Sequence, residues 1–464
     1  MCVYLSAVLI LYFLCPKKFR NLLLLVVSLL FYAWGEPIYV LLMLFTTAFD
    51  YASGLVIDLF RRKAKPGLAR AALIVTVVVN LGLLGFFKYT DFFLKTINSL
   101  TGAGLALLQI ALPIGISFYT FQTLSYTIDV YRGNVRVQKN FIDFAMFVTL
   151  FPQLIAGPIV RYSDIENELR DRRVTVEQFS RGVLRFLIGL GKKVILADRI
   201  GALHQAIAAY GADGLTTVMA WTGALAFMFQ IYFDFSGYSD MAIGMGLMFG
   251  FHFPENFHYP YEATSITDFW RRWHMTLSGW FREYLYIPLG GNRKGKARQI
   301  LNLLIVWALT GLWHGADWNF LIWGLYFFLI LFLEKTFLLK LLDKCPKFVR
   351  HLYSLLLILF GWVIFSAESF SDIGVWLCAM FGFGAAASSD LSVYYLVTRL
   401  LLFVILAIGS THLPAKFGEL LGAKTRLGKN GTLVLKAVFC FALLFVSVAF
   451  LVADSYSPFL YFRF

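Results

Sequence analysis

Two histidines stand where this sequence has least reason to keep them. His314 lies in Leu309-Thr310-Gly311-Leu312-Trp313-His314-Gly315-Ala316-Asp317-Trp318-Asn319, within an otherwise strongly apolar run. An ionisable side chain at membrane depth is costly, so it points to function by default. The flanking glycines permit close backbone approach or a helix break, and a broken helix is how a bilayer protein opens a polar group to a cavity. A neutral imidazole placed there can take the proton of a hydroxyl as it attacks a carbonyl. Its unperturbed pKa of about 6.5 suits that task near neutrality. The same ring could instead bond a carbonyl of a neighbouring helix. Acyl transfer from a thioester to an alcohol needs such a base, and no covalent serine if both substrates meet in one pocket.

His274 lies in the most polar long stretch, residues 255–291, ENFHYPYEATSITDFWRRWHMTLSGWFREYLYIPLGG. Ser265 or Thr267 can cap a helix beginning near Asp268 and ending before the Pro288 and paired-glycine stop. On a helical wheel Trp270, Trp273, Leu277, Trp280, Phe281 and Tyr284 share one face, and Arg271, Arg272, Ser278 and Arg282 the other. An aromatic face opposite a basic one is the pattern of a helix lying in the membrane interface. His274 falls at the seam, where it either belongs to that anchor or points into a protein cavity.

Further polar islands interrupt apolar runs: Gln122, Asp129, Tyr131 and Arg132; Gln153 and Arg161; and Asp234, Ser236, Tyr238 and Asp240. Each reads first as a structural hydrogen bond. Buried carboxylates pair with cations, so Asp234 or Asp240 is expected to meet an arginine of residues 271–282. With Trp313, the residues Gln122, Gln153, Asp234, Tyr238, Arg271, Arg272 and Arg282 are the candidates for touching substrate. Phe235-Ser236-Gly237-Tyr238-Ser239 is not a nucleophile elbow, and no Walker-type phosphate loop occurs. The spacing of His252 and His258 suits no common metal motif, so no metal and no resident cofactor are expected. The five cysteines, Cys2, Cys15, Cys345, Cys378 and Cys440, contain no CxxC pair and read as small buried hydrophobes.

The elements that must carry these residues are membrane helices. Of 464 residues 59% are hydrophobic and only 15% charged, and mean hydropathy is +0.72. Apolar stretches run the whole length, which excludes a soluble enzyme, a disordered chain and a collagen-like repeat. Spans need about 20 apolar residues. Candidates are 21–34, 37–60, 71–87, 104–121, 217–233, 300–333 (long enough for a broken pair), 351–366, 394–410 and 433–453, with weaker ones at 1–15, 141–156, 183–197, 241–253 and 372–386. The expectation is an all-α polytopic membrane protein of about eleven transmembrane helices plus re-entrant and interfacial helices, folded as a single integral-membrane domain over 1–464. The first segment precedes its basic cluster Lys17-Lys18-Phe19-Arg20, the reverse of a signal peptide, and reads as an uncleaved span. Asn430-Gly431-Thr432 fits a glycosylation sequon but reads better as a turn.

The net charge of +14 would suggest nucleic acid in a soluble protein. Here it fits cytoplasmic loops and anionic headgroups, with no nucleic-acid partner. Residues 61–70 carry five cations and no acid, 270–298 seven cations and one acid, and 335–350 five more cations, so these loops should be cytoplasmic. The mixed residues 161–199, with nine cations and six acids, read as a cytoplasmic loop with amphipathic helices.

Taken together these islands resemble the membrane-bound O-acyltransferase family, and within it the bacterial alginate O-acetylation branch. The matching pieces are Leu29–Gly35, Leu112–Gln122, Tyr126–Arg132, Phe151-Pro152-Gln153 with Ala156-Gly157-Pro158, Asp234–Asp240, residues 255–291, Trp313-His314-Gly315 and the ending Pro458–Phe464. Arg282-Glu283 departs conservatively from the Arg-Asp common among relatives, and the N-terminus lacks their polar–aromatic lead-in. The resemblance implies a multi-pass protein of the inner or plasma membrane, with tilted helices around a thin core and a tunnel for the acyl donor. It implies that His314 is the catalytic histidine and His274 the second functional one. It also implies transfer of an acyl group, usually acetyl, from a cytoplasmic thioester donor such as acetyl-CoA or an acyl carrier protein to an extracytoplasmic polysaccharide, often through a partner acyltransferase. The basic 271–298 region would attract the anionic donor. D-alanyl transfer to teichoic acid from a carrier protein is the alternative within the enzyme class. Outside it stand a transporter of an acyl carrier, for which inverted repeats are expected and none is seen, and a scaffold that recruits a soluble transferase.

Overall fold

A computed structural model describes residues 2–424 and 428–453. It contains no strand among them; the fold is all helical. In chain order the helices are α1 (Cys2–Leu14), α2 (Arg20–Gly35), α3 (Tyr39–Arg62), α4 (Pro66–Thr101), α5 (Ile116–Arg132), α6 (Phe141–Thr149), α7 (Phe151–Leu154), α8 (Tyr162–Arg170), α9 (Val176–Gly191), α10 (Asp198–Ala208), α11 (Gly211–Gly214) and α12 (Thr217–Phe249). They continue with α13 (Ile266–Trp270), α14 (Met275–Phe281), α15 (Lys296–His314), α16 (Trp318–Leu333), α17 (Leu339–Leu342), α18 (Lys347–Ser366), α19 (Phe370–Met380), α20 (Asp390–Gly409), α21 (Leu413–Lys424) and α22 (Gly428–Ala453).

Seven helices among the described residues are long and apolar enough to cross a bilayer: residues 17–35, 39–62, 66–101, 217–249, 347–366, 390–409 and 434–453. The protein is therefore a multi-pass membrane protein, with fewer full-length spans than the eleven or so expected. Several expected spans are short or broken. Residues 104–121 are not one helix: Gly102 caps α4 with φ +68°, and the chain stays irregular until Gly115, φ +77°, precedes α5. The 300–333 run is the expected broken pair, α15 and α16, split at Gly315. Residues 183–197 continue from α9 into a π-helical turn, Lys192–Ala197. Asn430-Gly431 lies within α22, so it is not a turn. The tail motif 458–464 lies outside the described residues. Four of the cysteines are not buried as expected: Cys15, Cys345 and Cys440 are half-buried and Cys378 is exposed, because apolar helices here also present faces with no protein against them; the Cys2 side chain lies outside what the structure describes.

The chain divides into two compact units. The first comprises residues up to Phe186, Met241–Glu255 and Gly279–Tyr284. Here α3 packs on α4 and α5, and α2 on α6. Asn80 of α4 donates to the buried Asp50 of α3 at 2.7 Å. Trp280 stacks on Phe121 at 3.8 Å between centroids and donates its indole N–H to the Phe121 carbonyl at 2.9 Å. The Tyr284 hydroxyl bonds Asp129 at 2.6 Å.

The second unit comprises Leu187–Asp240, Asn256–Ser278 and the chain from Leu285 onward. It holds a core of Phe235, Trp270, Trp273, Trp307, Trp323, Phe327, Trp362 and Phe365. Its α15–α16 hairpin is joined at the backbone. A Cβ added at Gly311 would strike the Phe320 carbonyl, and one at Gly324 the Trp307 carbonyl. Glycine is required at both crossings because two helix backbones meet there.

Candidate active site

His314 ends α15, and Gly315 leaves the helix in extended conformation (φ −162°, ψ 156°). Asp317 then restarts α16 by accepting the Trp318 N–H at 2.6 Å. The helix break expected at this motif is therefore present, and it leaves His314 buried, with 6% of its surface exposed. Aromatic rings surround it: Trp313 and Trp323 at 5.0 Å and Phe365 at 5.5 Å between centroids.

His274 does not sit within one amphipathic helix. The segment breaks there, with α13 stopping at Trp270 and α14 starting at Met275, and His274 itself has φ +44°. That left-handed conformation is uncommon for a residue with a Cβ and is held against strain of order 1–3 kcal/mol. Residues 256–258 run alongside and hold it: Met275 donates to the Asn256 carbonyl and His258 to the Arg272 carbonyl, each at 2.9 Å. The faces read from the wheel separate in part, with Tyr284, Arg272 and Ser278 half-buried. Trp270, Trp273, Leu277, Trp280 and Phe281 are buried, while Arg271 and Arg282 are exposed. The aromatic face, however, packs into protein rather than lying in a membrane interface: Trp273 lies 5.0 Å from Phe257 and 4.8 Å from Trp362.

The His274 and His314 rings lie 6.4 Å apart, near perpendicular at 64°. Even with a nitrogen of each facing the other, that separation exceeds a direct hydrogen bond. Trp313 flanks both, 6.0 Å from His274. Phe235 lies edge-on to His274 at 4.7 Å.

Asn256 fixes the tautomer of His274. Its Oδ1 is identified as the acceptor by the Thr276 backbone N–H at 3.3 Å, which can only donate, and by the Thr276 hydroxyl at 2.8 Å. Its Nδ2 donates to Ser239 at 3.1 Å. The His274 Nδ1 at 3.1 Å from that Oδ1 must therefore carry the proton. The lone pair then resides on Nε2, which is buried and unpartnered in the structure. Burial pushes the His274 imidazole pKa well below its ordinary value, to about 3.

Three polar clamps hold the approach to His274. The Glu334 carboxylate, at the end of α16 and only 1% exposed, accepts the N–H groups of Ile266 and Thr267 at 2.7 and 2.8 Å and the Thr267 hydroxyl at 2.6 Å. It thus closes the N-terminus of α13, where backbone donors lack helical partners. Glu262 bonds His412 at 2.5 Å, and His351 Nδ1 lies 3.2 Å from the Ala263 carbonyl. Sequence reasoning passed over Asn256 and Glu334. Glu334 had a usable signal, a carboxylate closing the apolar run of α16. Asn256 had none, because its partner lies 18 residues away.

The remaining candidates are dispersed. Asp234 and Asp240 do not pair with arginines of 271–282. Asp234 bonds Lys193 at 2.6 Å and Asp240 bonds Lys192 at 2.7 Å, because the π-helical turn presents two consecutive lysines to α12. Arg272 bonds Asp268 at 2.9 Å, and exposed Arg271 carries no bond to the histidines. Tyr238 is buried in α12. Gln122, Gln153 and Arg282 belong to the first unit. Gln153 donates to the Phe147 carbonyl at 2.7 Å, the structural bond expected of it. The Gln122 Oε1 is buried without a partner. Arg282 is exposed, 3.8 Å from Glu283. No cluster of metal-ligating side chains occurs among the described residues.

The structure thus combines the helix break expected at His314 with a second buried histidine of fixed tautomer beside it. The family model described as MBOAT, membrane-bound O-acyltransferase family, matches residues 134–373, which contain both histidines. The chain is also 41% identical over 471 residues to the probable alginate O-acetylase AlgI of Pseudomonas putida, covering 98% of this chain and 96% of that protein. The chain belongs to the membrane-bound O-acyltransferase family. This membrane-bound O-acyltransferase is further 38% identical over 405 residues to the peptidoglycan O-acetyltransferase of Helicobacter pylori (81% of this chain, 76% of that protein). Its likeness to the teichoic acid D-alanyltransferase of Bacillus subtilis is 29% over 230 residues, covering 46% of this chain and 56% of that protein.

Proposed function

We propose that this O-acyltransferase moves an acetyl group from a cytoplasmic thioester, acetyl-CoA or an acetylated carrier, to hydroxyls of an extracytoplasmic polysaccharide, directly or through a partner acyltransferase. The observation that carries the reading is the pair of buried histidines 6.4 Å apart among aromatic rings. His314 takes the proton of the attacking hydroxyl. The hydroxyl oxygen bonds the thioester carbonyl carbon, the C–S bond breaks, and the proton passes to the departing sulfur, so an ester and a free thiol result. His274 presents an unprotonated Nε2 and either orients the donor or relays that proton. Trp313 and its neighbours exclude water, which favours transfer over hydrolysis. Among the other candidates Gln122, Gln153, Asp234, Tyr238 and the arginines 271, 272 and 282, the basic side chains steer the anionic donor and the rest support the fold.

Acetyl transfer to a polysaccharide is favoured over D-alanyl transfer to teichoic acid by coverage. The alginate and peptidoglycan O-acetylating relatives align with most of this chain, and the D-alanyltransferase with about half. The test is transfer of labelled acetyl by the purified protein in liposomes. His314→Ala, folded as judged by its thermal transition, should lose at least about a hundredfold in turnover. Wild-type turnover in that variant would refute the base, and retention of activity by both single histidine variants would favour a scaffold.

A further inference from the structure

The first unit contains a basic cleft that the transfer chemistry does not use. Two adjoining cavities of about 720 and 450 Å³ share Asp58, Arg61 and Arg62. Arg136, Lys139 and Arg170 also line them, so the two cavities together are lined by five cations and one carboxylate. They come from three separate segments: the end of α3, the loop after α5 and the end of α8. Arg62 is paired with Asp58 at 2.7 Å and Arg170 with Glu166 at 3.2 Å. Arg61 donates to the Val130 carbonyl at 2.5 Å and lies against Gly133, but it has no carboxylate partner, and Arg136 and Lys139 have none either among the described residues.

Charges that only set topology need no common destination. Like charges drawn to one cavity repel each other unless an anion is shared between them. The cleft opens at the joint between the spans 39–62 and 66–101, hence at a membrane surface, and its cation-rich loop marks that surface as cytoplasmic. Basic pockets between spanning helices on that side suit phosphate-bearing headgroups, and arginine forks match phosphate oxygens two at a time.

We infer that the Arg61–Arg136–Lys139 cleft is a binding site for a phosphate ester, filled by the headgroup of an anionic phospholipid of the cytoplasmic leaflet. The inference is independent of the acyl-transfer reading. The same chemistry is offered by a soluble phosphate ester, so the test carries both. Full-length protein in nanodiscs of mixed phosphatidylglycerol and phosphatidylcholine is examined by native mass spectrometry for retained lipid. Binding of 3′-phosphoadenosine 5′-phosphate is measured separately. Arg136→Gln/Lys139→Gln, two exposed positions, serves as the variant, with its thermal transition as the check on folding. Preferential retention of phosphatidylglycerol, reduced on the order of ten- to thirtyfold in the variant, is the expected result. Nucleotide binding lost in the variant, without selective lipid retention, would keep the phosphate site but overturn the lipid as its occupant. Equal retention of both lipids with no nucleotide binding, or binding unchanged in the folded variant, would overturn the site.

Discussion

Asn256 Oδ1 accepts the Nδ1 proton of His274 at 3.1 Å while also receiving the backbone N–H and hydroxyl of Thr276. One amide oxygen thus sets both the ring's tautomer and its orientation, and a change at Asn256 should read out at the His274 ring. Asn256→Ala should lower kcat by about tenfold, or ~1.4 kcal/mol of barrier. Asn256→Asp keeps an acceptor toward Nδ1 and should recover much of that loss, and a negative carboxylate there should raise the imidazole pKa. Nitrogen-15 chemical shifts of the His274 ring separate the two variants.

Because burial pushes the His274 pKa to about 3, the ring stays neutral through the range in which an ordinary histidine titrates. The acid limb of the pH–rate profile should therefore belong to another group, and His274→Asn should lower the rate without moving that limb. For stability the sign follows from a depressed native pKa. Below the unfolded value of about 6.5 the unfolded chain binds more protons, so the histidine's contribution to stability falls as pH drops below that value. Thermal transitions of wild type and His274→Asn between about pH 7 and pH 5 should diverge, with the wild type losing more.

The left-handed backbone at His274 supplies an independent test of strain. His274→Gly and His274→Ala both remove the imidazole, but only glycine adopts φ +44° freely. The glycine variant should be the more stable of the two by about 1 kcal/mol, visible as a higher melting temperature in the same detergent. If the alanine variant is equally stable, the loop relaxes and His274 is not held against strain.

Glu334 touches neither histidine ring and is a positioning residue, closing the N-terminus of α13. Glu334→Gln replaces one acceptor oxygen with an amide facing donors and should destabilise by about 2 kcal/mol. Its kinetic signature should be a lower kcat with little change in KM for the donor, since the helix bearing the His274 turn shifts while the rest of the pocket remains. Partial recovery by Glu334→Asp and none by Glu334→Ala would complete the pattern.

The histidines, the break between α15 and α16 and the sorting of aromatic from basic residues in 255–291 were legible because each depends on neighbours in sequence. Apolar runs show where a charge is out of place, and glycines at 311 and 315 show where a helix can be crossed or ended. The partners of the buried charges were not legible. Asp234 meets Lys193, 41 residues earlier, rather than an arginine of 271–282 at a comparable distance in the other direction, and composition cannot rank one cation against another at such distances. The division of 266–286 into two short helices was hidden as well, because a left-handed histidine leaves no mark in periodicity. Hydropathy alone does not separate a helix facing lipid from a short one covered by protein, so seven of the expected spans stand out as full-length among the described residues and the others are short or broken.

The pairing of Lys193 with Asp234 and Asp198, at 2.6 and 2.8 Å, also bears on how the chain reaches the bilayer. Asp198 is made together with the turn and neutralises Lys193 at once. Asp234 lies instead in the span 217–249 and meets Lys193 across 41 residues, so settling that span in the bilayer depends on the earlier segment being in position to receive its carboxylate.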